Sequence, residues 1–139
     1  MKVYLASPLF NPLQKERIKR VVRKLRGEGL EVYSPMEHEV PNAWDLPNST
    51  WARRVYEADL EALNAADVVV AIYDGMDSDS GTAWEIGYAC GQKKRVHLLI
   101  THPHEMQSLM LINSATTIQS LDGYVDDSDA LSFFELIQS

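Results

Sequence analysis

A single cysteine, Cys90, is all the chain carries, so no disulfide can form within it. It sits among small residues with no partner thiol, and reads as an inert packing residue rather than a nucleophile. Long apolar runs are missing too: nowhere do about 18 such residues follow one another, so no membrane span is expected. Positive charge is scarce, with 13 Lys and Arg against 20 Asp and Glu, a net charge of −7. A nucleic-acid binder needs a basic face to meet phosphates, and this balance argues against one. The chain enters a strand pattern within a few residues of Met1, so no signal peptide is expected and a reducing cytoplasm is the default location. The histidines His38, His97, His102 and His104 do not fall at zinc-ligand spacing, so no metal is expected. G-x-G-x-x-G, the P-loop and G-x-S-x-G are all absent. Nothing therefore points to a dinucleotide, a nucleoside triphosphate or serine-hydrolase chemistry, and no cofactor is expected.

What is present fits one globular domain over residues 1–139, with 45% hydrophobic and 24% charged residues. Strand and helix patterns alternate. Strands are expected at Lys2–Ala6, Leu30–Ser34, Val68–Tyr73, Val96–Ile100 and, more weakly, Thr116–Gln119. Helices are expected at Pro12–Arg26, from Ser49 as N-cap to about Ala65, at Gly81–Gln92, at Met106–Asn113 and at Asp129–Gln138. Pro35–Asn48 reads as a long loop. Ile18, Val21, Val22 and Leu25 make one apolar stripe of the first helix. Its Lys15, Arg17, Lys19, Arg20, Arg23, Lys24 and Arg26 read as a solvated face. The alternation predicts an α/β fold, a doubly wound, five-stranded parallel sheet of flavodoxin-like order 2-1-3-4-5. Ligands of such sheets bind beyond the carboxyl ends of the strands.

The stretch from Asp67 to Ala89 aims acids at that crevice. A β-branched strand is followed by a loop holding Asp74, Asp77 and Asp79, and then by a helix carrying Glu85. Glu85 follows Thr82 by three, which suits a capping box. Equally, a carboxylate held ionised near a helix N-terminus suits a nucleophile at a sugar carbon. Asp59 shares a helix face with Trp51 and Val55; it is either a surface aspartate at the edge of that stripe or, partly buried with a raised pKa, a proton donor. Asp79 could cap the Glu85 helix or accept from a ligand hydroxyl. Tyr4 reads as a core tyrosine, and Phe10 as a core residue or a stacking platform.

Three segments together, KVYLASPLF at the start, EADLEAL in the second helix and DSDSGTAWEIGYA after the third strand, resemble the nucleoside 2-deoxyribosyltransferases over nearly the whole chain. The Asp-x-Gly-Thr-Ala-x-Glu-x-Gly segment, Asp79 to Gly87, is the specific part. The resemblance implies exchange of nucleobases on 2′-deoxyribose in two steps. Glu85 matches the nucleophile, Asp59 the aspartate that moves a proton to and from the base, and Tyr4 the tyrosine that positions the nucleophile. Asp79 matches the aspartate on the deoxyribose hydroxyls. Phe10, Trp51, Gly81 and Met110 fall at substrate-binding positions. The partners implied are a deoxynucleoside and a free nucleobase. Also implied is a homo-oligomer built from dimers, up to a hexamer, with sites shared between subunits.

One position departs from the pattern. Ser108 stands where the family places an asparagine lent by a neighbouring subunit, two residues before Met110. A serine there resembles the related 2′-deoxynucleoside 5′-monophosphate N-hydrolases, where it helps bind phosphate. Those relatives tend to carry serine where this chain has Asp79, and an aspartate beside a phosphate repels it. Transfer between free deoxynucleosides is therefore the leading expectation. Hydrolysis of a deoxynucleoside or its 5′-monophosphate by the same Glu85 is the alternative. A non-catalytic nucleoside-binding module is a third reading, with no need of both carboxylates.

Overall fold

Side-chain alternation along five short strands decides which residues meet in this protein. The computed structural model describes residues 1–38, 48–75, 80–102 and 108–126. In chain order it forms β1 (Lys2–Ala6), α1 (Pro12–Gly27), β2 (Glu31–Tyr33), a 3-10 turn (Pro35–Glu37), α2 (Asn48–Ala65), β3 (Val68–Tyr73), α3 (Ser80–Gly91), β4 (Arg95–Ile100), α4 (Leu109–Ser114), β5 (Thr117–Ser120) and α5 (Leu121–Asp126). All neighbouring strands pair in parallel, in the order β2-β1-β3-β4-β5. This is the expected doubly wound arrangement. No helix among the described residues is long and apolar enough to cross a membrane.

Successive strand residues point to opposite faces. Val3, Leu5, Val68, Val70 and Ile72 pack under Ile18, Val21 and Leu25 of α1 and under Leu121 and Tyr124 of α5. Tyr4, Ala6, Val69, Ala71, Val96 and Leu98 pack on the other face, against Leu63 of α2 and Ile86 and Ala89 of α3. Central β3 is buried along its whole length, which explains its unbroken apolar sequence. The parity of β1 thus turns Tyr4 toward α2 and α3.

Local chemistry sets the helix ends. Asn11 accepts from the Gln14 N–H at 2.8 Å and Pro12 opens α1. At the other end Gly29 takes φ +85, Leu30 N–H bonds to Leu25 C=O and Gly29 N–H to Arg26 C=O, a Schellman closure. The basic face of α1 is more than solvated. Arg17 pairs with Asp74 at 3.2 Å, Arg20 with Asp126 at 2.7 Å and with Asp122, and Arg26 with Glu37 at 2.6 Å.

Some boundaries differ from the sequence reading. Ser49 lies inside α2, which begins at Asn48, so it is not the N-cap. The α5 helix has no counterpart in the sequence reading: with six residues it is too short to show a period. The expected helix at 129–138, the first residues of the one expected from Met106, and residues 39–47 of the long loop lie outside the described residues.

Candidate active site

β1 and β2 lie side by side with Tyr4 directly opposite Tyr33 in the register. Both side chains therefore leave the sheet on one face, and their rings stack with centroids 5.6 Å apart and planes 13° from parallel. The His38 ring stacks on Tyr33 at 4.2 Å and 8°. Each tyrosine hydroxyl meets one carboxylate. Tyr4 donates to Glu85 Oε2, which α3 supplies. Tyr33 donates to Asp59 Oδ1 of α2 at 3.2 Å. Two carboxylates from two helices are thus held by two stacked phenols from adjacent strands.

The electrostatics follow from this packing. Tyr4 is fully buried, and burial, then the charge of Glu85 and the hydrogen bond to it, push its pKa well above the ordinary phenol range. Tyr33 is pushed up to about 12, mainly by burial and then by the charge of Asp59. Both hydroxyls therefore keep their protons and act as donors. Asp59 is half-buried, and burial raises its pKa. The Tyr33 hydrogen bond and the nearby His38 pull the other way. A carboxyl group raised in this manner can hold a proton closer to neutral pH than an exposed aspartate does.

Glu85 is the sixth residue of α3, and Thr82 lies buried within that helix. An N-cap must stand outside the helix, so Thr82 cannot form the box with Glu85 that its spacing suggests. The structure joins Tyr4, Asp59 and Glu85. Phe10, just after β1, is 73% exposed, with its N–H on Gln14 Oε1. Trp51, in the first turn of α2, is also exposed, as is Gly81 in the first turn of α3. Met110 on α4 is 80% exposed. Ser108 caps α4: its Oγ accepts from Leu111 N–H at 3.4 Å, and its own N–H bonds to the Tyr73 hydroxyl at 2.8 Å. Asp79 and Asp77 lie outside the described residues.

Of the three loop aspartates, Asp74 has a structural explanation. It is buried at the end of β3 and accepts from Thr101 Oγ1 and Arg17, with His102 Nε2 at 3.3 Å from the same oxygen. Among the described residues, no three His, Cys, Asp or Glu side chains gather as a metal-holding group. Sequence reasoning missed Tyr33 and His38. A signal for Tyr33 was present: Val-Tyr occurs at 3–4 and again at 32–33. Once the two strands are neighbours in register, the repeat places the second tyrosine beside the first.

Comparison with known proteins identifies the family and the fold. The model of the nucleoside 2-deoxyribosyltransferase family matches residues 3–132. A nucleoside deoxyribosyltransferase of Limosilactobacillus fermentum is 30% identical over 70% of this chain and 64% of its own length, so the match spans less than two-thirds of that relative. The fold superposes on a 2-deoxyribosyltransferase of Bacillus psychrosaccharolyticus with a TM-score of 0.82 and 30% identity, covering 98% of this chain and 96% of that one. A CMP N-glycosidase of Clostridium botulinum shares the fold alone, at 22% identity and a TM-score of 0.64 over 94% of this chain and all of its own. The chain belongs to the nucleoside 2-deoxyribosyltransferase family.

Proposed function

We propose that the protein transfers 2′-deoxyribose between nucleobases by a retaining double displacement. Glu85 Oε attacks C1′ as the glycosidic C1′–N bond breaks. The bond's electron pair leaves with the base, which takes a proton from Asp59. The deoxyribosyl–Glu85 ester is then attacked at C1′ by a ring nitrogen of a second base. Asp59 takes back the proton and the ester oxygen departs as carboxylate. Tyr4 fixes the attacking oxygen. Asp79 and Gly81 are assigned to the sugar, and Phe10 and Trp51 to the base. The observation that carries this reading is the pairing of Glu85 and Asp59 on two stacked tyrosines. Two fixed carboxylates, a nucleophile and a group able to hold a proton, are what a retaining glycosyl transfer requires.

Water in place of the second base would make the protein a deoxynucleoside or 5′-monophosphate hydrolase. The serine that suggests it, Ser108, accepts from Leu111 N–H and keeps its O–H proton to donate; the charge of Asp79, which would repel a phosphate, favours transfer. Met110 and Ser108 are assigned to a neighbouring subunit's site, in a homo-oligomer that serves nucleoside salvage in the cytoplasm.

The test is chromatographic. Pure protein is incubated with deoxyinosine, with and without adenine, and with deoxyinosine 5′-monophosphate alongside. Deoxyadenosine formed only when adenine is present, and lost in Glu85→Ala by a factor of at least about 10³, is the expected result. Equal release of base without an acceptor would show a hydrolase instead.

A further inference from the structure

We propose that Tyr33 is a positioning residue for the acid–base group: stacked on Tyr4 and opposite it in the strand register, its hydroxyl holds Asp59 in a fixed place and orientation relative to Glu85. The inference rests on the assignment of Asp59 to proton transfer. Three observations carry it. The Tyr33 ring is clamped by Tyr4 at 5.6 Å and by His38 at 4.2 Å, both nearly parallel, so its hydroxyl has a defined direction. That hydroxyl reaches Asp59 Oδ1 at 3.2 Å. The neighbouring phenol makes the matching bond to Glu85. The distance between proton donor and nucleophile is then set by the sheet, through two backbone-paired tyrosines, rather than by two helices alone.

This division of labour has a chemical consequence. Because the Tyr33 O–H occupies Oδ1, Oδ2 is left to carry the proton that passes to the leaving base. Burial and the charge of Asp59 keep the phenol protonated, up to about pH 12. The same hydrogen bond favours the charged form of Asp59, against burial. The groups that face the pair are Tyr4 from β1, His38 after the 3-10 turn and Glu85 from α3, with Glu61 on α2 itself. Tyr33 thereby sets both where the Asp59 proton sits and how readily it leaves.

The experiment uses Tyr33→Phe, which keeps the ring stack and removes only the hydroxyl. Asp59 is titrated by carbon NMR in protein labelled at the aspartate carboxyl, with Asp59→Asn for assignment. The pH profile of kcat/KM is measured on the same preparations. The Asp59 midpoint is expected to move up in Tyr33→Phe, and the limb of the kcat/KM profile that follows Asp59 to move with it. The maximum should fall roughly ten-fold, the loss of one hydrogen bond to a charged group. A midpoint that stays in place overturns the inference. So does a variant that loses thermal stability but keeps the wild-type profile. A wild type with no turnover of any deoxynucleoside removes the assignment beneath the inference, and is told apart because the NMR midpoint still reports on the Tyr33–Asp59 bond.

Discussion

Tyr73 and Asp74 are neighbours at the end of β3, yet they serve opposite sides of the sheet. The Tyr73 hydroxyl receives the Ser108 N–H and so fixes where α4 begins. Asp74 receives Arg17 and Thr101 and ties α1 to the ends of β3 and β4. Strand alternation alone produces the split. On the next strand, His97 of β4, opposite Val70, shows what burial does to a titratable group. Its ring is almost fully buried with Nδ1 2.6 Å from Thr117 Oγ1. Burial first, and the charge of Arg95 second, lower its pKa to about 4. Unfolded histidine titrates near 6.5. Between those values the unfolded chain binds a proton that the native protein refuses, so this residue costs stability as pH falls from about 6.5 to about 4. Urea titrations at pH 7 and pH 5 are expected to show a loss of stability on acidification that is smaller in His97→Gln. About one proton taken up on unfolding at pH 5 should disappear in the variant. Equal slopes in the two proteins would show that His97 titrates alike in both states.

At the scale of elements, one short turn serves both helices that carry the site. After α3, Lys94 N–H bonds to Ala89 C=O and Lys93 N–H to Cys90 C=O, a Schellman closure in which Lys93 takes φ 61. The adjacent Lys94 reaches across with its ammonium to the carbonyls of Leu63, Asn64 and Ala66, at 2.8, 2.8 and 2.6 Å, and so caps α2. Lysine is a poor occupant of the left-handed region that glycine enters freely. Lys93→Gly is therefore expected to stabilise the protein by about 0.5–1 kcal/mol, read as a rise of a few degrees in Tm; Lys93→Ala should give no such rise. A fall in Tm with glycine would mean that the Lys93 side chain contributes more than its backbone strain costs. Caps such as this one were hard to read from sequence, because a capping pattern specifies spacing and not where the helix begins. Thr82-x-x-Glu85 has the right spacing and lies wholly inside α3. Ser49 is a good cap residue two positions too late, the second residue of α2. Strands and long helices were legible because their periodicity comes from burial, as in the apolar stripe of α1 and the all-apolar β3. Tyr33 was not, since the expected order sets β2 beside β1 without fixing their register, and the pairing of Tyr4 with Tyr33 is a tertiary fact.

At the scale of the molecule, a chain of net charge −7 carries seven of its 13 Lys and Arg on α1 and pairs several of them with its own carboxylates. Its surface also carries apolar side chains that need an explanation. Leu109 and Met110 are adjacent on α4 and 78% and 80% exposed, while Leu111 and Ile112 of the same helix turn inward to the core beneath. The start of the helix is pinned by the Ser108–Tyr73 bond and by the Ser108 cap, so the two side chains are presented from a fixed frame. Single exposed apolar residues are ordinary, but two large ones together on a short, anchored helix suit a surface that is covered in an assembly. This supports the proposed self-association, in which α4 of one subunit completes the site of another. Leu109→Glu with Met110→Glu should then shift sedimentation from an oligomer toward monomer. Isologous interfaces repeat the change on both sides, so the two glutamates would face their own copies or other buried groups. Transfer activity should fall with assembly, by about ten-fold or more, since the proposal sets this segment at a neighbouring subunit's reacting site. The Tm measured on the dissociated protein should stay within a few degrees, because neither side chain packs within its own subunit. A wild-type protein that sediments as a monomer and is fully active would show that the Tyr4, Tyr33, Asp59 and Glu85 constellation is complete within one chain.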